Sequence, residues 1–199
     1  MDLKTNEMAS VFFLRHGDVE NPEAVWYGNL PGFPLSQKGR RQIEDTAHKF
    51  KALKIPLAAV VRSPNLRAQQ SAEIAAKILG VEKILFDDRL RDWQTDDWEG
   101  TDYDHLVHDS GYYATPPRIP WREKLEDLAA RVGRVVEEAR QKFPNQNLLF
   151  VGHREPFVAY ILQATGQTFD NIHALDMPKG SLWKMDWDEN GRTNAVRIV

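Results

Sequence analysis

The chain has 199 residues, enough for one domain with a core of its own. Its composition is 42% hydrophobic and 28% charged with a net charge of −3, which gives no sign of a general affinity for nucleic acid or an anionic membrane and leaves an anionic ligand to be held by local positive charge in a pocket. There is no cysteine, so disulfide scaffolds, Cys-ligated metal sites and cysteine-based phosphatase chemistry are excluded.

Met1 to Ala9 is polar and lacks the apolar stretch of a signal peptide, and no later segment has the length of a membrane span; the expectation is a soluble, cytoplasmic protein. Val11 to Leu14 is a short run of β-formers, a buried strand that stops at Arg15-His16-Gly17. A loop rich in Gly, Pro and aromatics follows, Asn21 to Leu35. Ser36 then caps a helix with Ile43, Ala47 and Phe50 on one face. Leu57 to Val61 reads as a second buried strand, Leu66 to Leu79 as a helix closed by Gly80, and Lys83 to Phe86 as a third strand.

Asp87 to Pro120 lacks a period. It carries several Trp and Tyr residues, many acids and Pro116-Pro117, with one short helix expected near Tyr103 to His108. A long insertion of this kind in a compact domain points to function, and the part from about 93 to 121 is the candidate lid. Its aromatics, Trp93, Trp98, Tyr103, Tyr112, Tyr113 and Trp121, fit equally a cover over the substrate and packing under a long loop.

Glu123 to Lys142 is a helix with a stripe of Leu125, Leu128, Val132, Val135 and Val136, ended by Pro144 and Asn145. Leu148 to Val151 is a fourth strand, running into Gly152-His153, and Phe157 to Ala164 a further helix. Leu182 to Trp187 and Ala195 to Val199 form a closing hairpin. Strands alternating with helices predict a single domain over residues 1–199, a three-layer α/β/α sandwich on a mostly parallel central sheet. Ligands in such sheets sit beyond the carboxyl ends of the strands, where His16 and His153 both stand.

Taken together, these blocks resemble the histidine phosphatase superfamily, which includes phosphoglycerate mutases and many small-molecule phosphatases. Arg15-His16-Gly17 alone is weak. The order makes it specific: Tyr27-Gly28 through Pro34-Leu35-Ser36 and Gly39, then Ser63-Pro64-Asn65-Leu66-Arg67-Ala68, then Leu90-Arg91-Asp92 with Trp98-Glu99-Gly100, then Val151-Gly152-His153. The resemblance implies a phosphohistidine formed on His16, Arg15 and Arg67 as forks for the phosphoryl oxygens, and His153 as a further donor to them. Those types suit the chemistry. A transferring phosphoryl keeps charge on three oxygens, guanidinium binds such oxygens bidentately, and a neutral imidazole with one nitrogen held by an acceptor is a nucleophile. The resemblance implies no metal and no cofactor, because two arginines and two histidines compensate the charge.

The family usually places a glutamate where this chain has Asp92. Aspartate is about 1 Å shorter, a displacement that can matter in rate. Asp92 is the expected general acid, and Glu155, just beyond His153, the alternative. Many members carry Ser or Thr and then Asn after the first motif; here Val19 and Pro22 stand there, with Asn21 one place early as a candidate phosphate ligand. Arg154 is a candidate for the pocket rim. His105 and His108 have metal-like spacing but no third ligand, so a solvated helix face is the expectation; His48 and His173 are expected to be structural or exposed.

Three functions compete: a phosphatase acting on a phosphomonoester, a mutase of the phosphoglycerate type, and a non-catalytic phosphate-binding regulator. The phosphatase is favoured, because the mutase branch is usually longer with the Ser and Asn altered here, and regulators typically lose one of the four core residues kept here. The expected partner is a phosphorylated small molecule, with no nucleic acid and no membrane. The sequence carries no signal for an oligomeric state.

Overall fold

A computed structural model describes residues 9–95, 98–102, 122–187 and 193–199. Six strands form one sheet: β1 (Val11–Arg15), β2 (Ala59–Arg62), β3 (Ile84–Phe86), β4 (Leu148–Gly152), β5 (Leu182–Trp187) and β6 (Thr193–Arg197), in the order β3-β2-β4-β1-β5-β6. The β3-β2-β4-β1 half is parallel throughout. The predicted closing hairpin adds β5 antiparallel to β1 and β6 antiparallel to β5.

The helices α1 (Gln37–Ala52) and α2 (Leu66–Leu79) cover one face; α3 (Leu125–Lys142) and α4 (Arg154–Ala164) cover the other. This is the expected three-layer α/β/α sandwich. Strand alternation divides the core: Phe12 and Leu14 point to Ile43, Ala47, Phe50 and Ala72, while Val11 and Phe13 meet Leu128, Val132, Phe157 and Tyr160. With both faces covered, the inner parallel strands β1, β2 and β4 are apolar up to their last residue, as the runs in the sequence are.

The local signals act where expected. The Ser36 side chain accepts from Gly39 N at the start of α1, and Gly80 closes α2 in the left-handed conformation at φ 74°. The last helix starts at Arg154, ahead of the Phe157 expected from the sequence. Pro156 lies in its first turn, where the missing N–H has no intrahelical partner to lose. No helix among the described residues is long and apolar enough to cross a membrane.

Of the segment 93–121, the structure describes 93–95 and 98–102. Trp93 and Trp98 are buried in the core beside α3 and α4, 6.1 Å apart between ring centroids, so these two aromatics pack under the loop. Tyr103, His105, His108, Tyr112, Tyr113 and Trp121 lie outside the described residues.

Candidate active site

The parallel pairing of β1 with β4 brings the two histidines together. Arg15 is in register with Gly152, and His16 N–H donates to Gly152 O at 3.0 Å. Each strand therefore releases its histidine at the same level, and the two rings sit 5.3 Å apart between centroids, tilted by 62°. Both are almost fully buried, at 2% and 1% exposure.

Gly17 is needed for space. Its backbone is outside the left-handed region, so a positive φ is not the reason for a glycine here. A Cβ on Gly17 would collide with the Gly39 carbonyl, and one on Gly39 with the backbone of Asp18. Two glycines let the first turn of α1 pass against the loop that carries His16.

The protonation pattern follows from acceptors that cannot change. His16 Nδ1 donates to Gly17 O at 2.7 Å, because a carbonyl can only accept; Nε2 then carries the lone pair. For His153 the chain of inference is longer. Asn29 Nδ2 donates to the carbonyls of Trp93 and Asp92 at 3.1 and 3.3 Å, which fixes that amide. Its Oδ1 accepts from Asn65 Nδ2 at 3.4 Å, leaving Asn65 Oδ1 to accept the Ser63 hydroxyl at 2.9 Å. Ser63 Oγ has then spent its hydrogen, so it accepts from His153 Nε2 at 2.8 Å. His153 Nδ1 keeps its lone pair and faces Arg67 Nη2 at 3.2 Å.

Both imidazoles are held neutral. Burial pushes the His16 pKa well below its ordinary value, and the charges of Arg67, His153 and Arg15 add to the effect, while the Gly17 bond opposes it. His153 is lowered likewise, by burial first and then by Arg67, Arg131 and Arg15.

Arg67, in the first turn of α2 and 1% exposed, links the groups. Its Nε lies 3.3 Å from His16 Nε2, and its Nη2 reaches Gly28 O and Asp92 Oδ2, both at 2.7 Å. The Tyr27 ring lies against the guanidinium at 4.6 Å. Glu99, from the third sequence block, accepts from Asn29 N at the far side of the Gly28 loop. Arg15 Nη1 is anchored on Met177 O at 2.7 Å, and its buried Nε has no partner among the described residues.

A cavity of about 300 Å³ opens on this cluster, lined by Arg15, His16, Trp26, Tyr27, Gly28, Asp92, Arg154 and Glu155. Arg67 and His153 stand behind that lining, Arg67 bonded to His16 and Asp92, and His153 Nδ1 3.3 Å from Asp92 Oδ2. Both carboxylates named from the sequence reach the cavity. Asp92 accepts from Trp93 N through Oδ1 and pairs with Arg67 through Oδ2. Glu155 is buried beside Arg154 at 3.3 Å, and Arg154 also donates to Ile172 O and Leu175 O.

Asn21 is not brought to this site. Both ends of its amide are used on Val25, at 2.9 and 3.2 Å, closing its own loop. His48 and His173 are exposed. Ser63, Asn65 and Asn29 were not singled out from the sequence as site residues; Ser63 and Asn65 stood inside the second block, and their spacing from Arg67 was the available signal.

This fold is that of the histidine phosphatase superfamily, and the sequence comparison agrees. The model of the histidine phosphatase superfamily (branch 1) matches residues 11–198, and the chain belongs to that family. The Mycobacterium tuberculosis (H37Rv) protein Rv0525 is 33% identical over 168 residues, 81% of each chain. The probable phosphoglycerate mutase GpmB of Escherichia coli O1:K1 is 29% identical over 154 residues, 73% of this chain and 70% of its own. Among solved structures, mycobacterial glucosyl-3-phosphoglycerate phosphatase Rv2419c with VO3 superposes at TM-score 0.80 with 23% identity, covering 95% and 98% of the two chains. Phosphoserine phosphatase of Entamoeba histolytica with 3-phosphoglyceric acid also gives 0.80, at 16% identity over 96% and 98%.

Proposed function

We infer that this protein is a phosphohydrolase that cleaves the phosphomonoester of a small molecule through a phosphohistidine on His16, without a metal ion. The observation that carries this reading is the tautomer of His16: Nδ1 is spent on Gly17 O, and Nε2 presents its lone pair beside Arg67 at a cavity that also receives Arg15.

In this reading the phosphoryl group enters against the Arg15 Nε and the Arg67 guanidinium, which share its equatorial charge. The entering dianion favours a proton on His153 Nδ1, while Ser63 holds Nε2, and that N–H then donates to a phosphoryl oxygen. His16 Nε2 attacks phosphorus as the ester P–O bond breaks. The leaving oxygen takes its proton from the Asp92 carboxyl. Asp92, now a carboxylate, takes a proton from water, whose oxygen attacks the phosphorus; the P–N bond breaks and its electron pair returns to Nε2. Glu155 lines the same cavity and is the alternative acid. The cavity size suits a small molecule. Structural relatives of the same fold are described with phosphoserine and 3-phosphoglyceric acid, which supports a phosphorylated metabolite of that class.

The test is direct. Phosphate should be trapped on the His16 peptide by mass mapping without acid, and His16→Ala should abolish turnover. Activity should survive EDTA and be blocked by vanadate. Phosphate on another residue, or activity lost in EDTA and restored by a divalent ion, overturns the mechanism. The name of the relatives that are 29% identical favours a mutase as second reading. Incubation with 3-phosphoglycerate separates the two: net inorganic phosphate belongs to a phosphohydrolase, and 2-phosphoglycerate without phosphate release to a mutase. Phosphate binding with neither product marks a non-catalytic regulator.

A further inference from the structure

Arg131 and Glu123 form a buried ion pair that touches neither the cavity nor the two histidines. Their side chains are 9% and 10% exposed, with Arg131 Nε 2.5 Å from Glu123 Oε1 and Nη2 3.0 Å from Oε2. Arg131 comes from the middle of α3, on the stripe that the apolar periodicity marks as core. Taking two charges out of water is costly, and apolar side chains of the same volume usually serve stability as well or better. A buried pair of this kind therefore calls for another role, and its remaining bonds indicate one.

Guanidinium carries five N–H donors. Here Nε–H and one Nη2–H hold Glu123. The other Nη2–H reaches Asp92 O at 3.0 Å, and the two Nη1–H groups reach Arg89 O at 2.5 Å and Arg91 O at 2.9 Å. All five are used, three on carbonyls of the four-residue turn that ends at Asp92. Glu123 continues the clamp on the other side: its Oε2 accepts from Gln94 N at 3.3 Å and its backbone carbonyl from Trp93 Nε1 at 2.8 Å. The chain is thus held at residues 89, 91, 92, 93 and 94, with only the Asp92 side chain directed to the cavity and to Arg67.

We propose that the Arg131–Glu123 pair is the positioning element of the proton donor, setting the backbone of Asp92 so that its short carboxylate reaches the leaving-group oxygen. The proposal rests on the reading of Asp92 as general acid. It also accounts for an aspartate where the family usually has a glutamate: a side chain about 1 Å shorter depends more on where its backbone is held. Lysine in place of Arg131 would keep the charge beside Glu123 but has three donors from a single nitrogen, and so cannot span Glu123 and three carbonyls.

The test compares kcat/KM for p-nitrophenyl phosphate, whose leaving group needs little protonation, with kcat/KM for an alkyl phosphate, whose leaving group needs it fully. The ratio of the two is independent of how much of a preparation is folded, so a destabilised variant still reports. Arg131→Lys and Glu123→Gln should each lower the alkyl-to-aryl ratio by about 10- to 100-fold, in the direction of Asp92→Asn. An unchanged ratio in both variants, with a lowered ratio in Asp92→Asn, overturns the positioning role and leaves the acid standing. An unchanged ratio in Asp92→Asn overturns the acid and the proposal with it.

Discussion

Asp92 Oδ2 lies 2.7 Å from Arg67 Nη2 and 3.3 Å from His153 Nδ1, so the expected acid and two expected phosphate-binding groups form one cluster. Glu155 lines the same cavity but pairs with Arg154 instead. The two carboxylates are therefore separable by substitution. Asp92→Asn should lower kcat/KM at least about 100-fold more for alkyl phosphates than for p-nitrophenyl phosphate. Glu155→Gln should lower both substrates alike or neither. Leaving-group selectivity in Glu155→Gln and its absence in Asp92→Asn would move the role to Glu155.

Ser63 is fully buried and is the acceptor for His153 Nε2. Alanine there leaves a buried N–H without a partner, at a cost of about 1–3 kcal/mol, and frees the ring to take the other tautomer. Ser63→Ala is expected to lower the urea midpoint and to reduce kcat about tenfold or more, with Ser63→Thr recovering most of both. Activity equal to the wild type in Ser63→Ala would show that the tautomer is set elsewhere.

The pH behaviour follows from two imidazoles that resist protonation. With folded pKa values below the ordinary 6.5, His16 and His153 stay neutral in the native state while the unfolded chain takes up protons from about pH 6.5 downward. The unfolded state then binds more protons, so stability falls as pH falls below 6.5, by up to ~1.4 kcal/mol per pH unit for each histidine, until the folded values are reached. Urea titrations from pH 8 to 5 should show this slope, reduced in His16→Gln. The acid limb of kcat/KM, corrected for ionisation of the substrate, should show no His16 step at 6.5; an imidazole titration of His16 there by NMR would contradict the burial argument.

Gly17→Ala probes the close approach behind His16. The added methyl would meet the Gly39 carbonyl, a backbone atom of a packed helix that cannot rotate away. A loss of about 3 kcal/mol or more in unfolding free energy is expected. Gly32→Ala is the contrast: nothing lies within 4 Å of its Cβ, and at φ 85° only backbone strain of about 1 kcal/mol remains. Equal losses in the two would remove the steric account.

What could be read from the sequence was whatever is decided by neighbours in the chain. Apolar runs gave strand positions, Ser36 and Gly80 marked helix ends, and the order of the motif blocks placed Arg15, His16, Arg67 and His153 in one family pattern. The first two rest on side-chain periodicity or capping within a few residues, which survives folding unchanged; the third rests on the resemblance of the blocks and their order to the family's. Tertiary structure decided the rest. That β4 lies beside β1, residue 152 against residue 15, is a choice among sheet orders that no local pattern encodes, and it is what puts His153 next to His16. Trp93 and Trp98 read equally as lid or core until α3 and α4 closed over them. Asn21 had the chemistry of a phosphate ligand, but a hydrogen-bonding group serves whichever partner folding brings first within 3 Å, and for its amide that was Val25. Arg131 is one polar residue on an apolar stripe, and its five acceptor atoms belong to residues 89, 91, 92 and 123, which only packing brings to a single guanidinium.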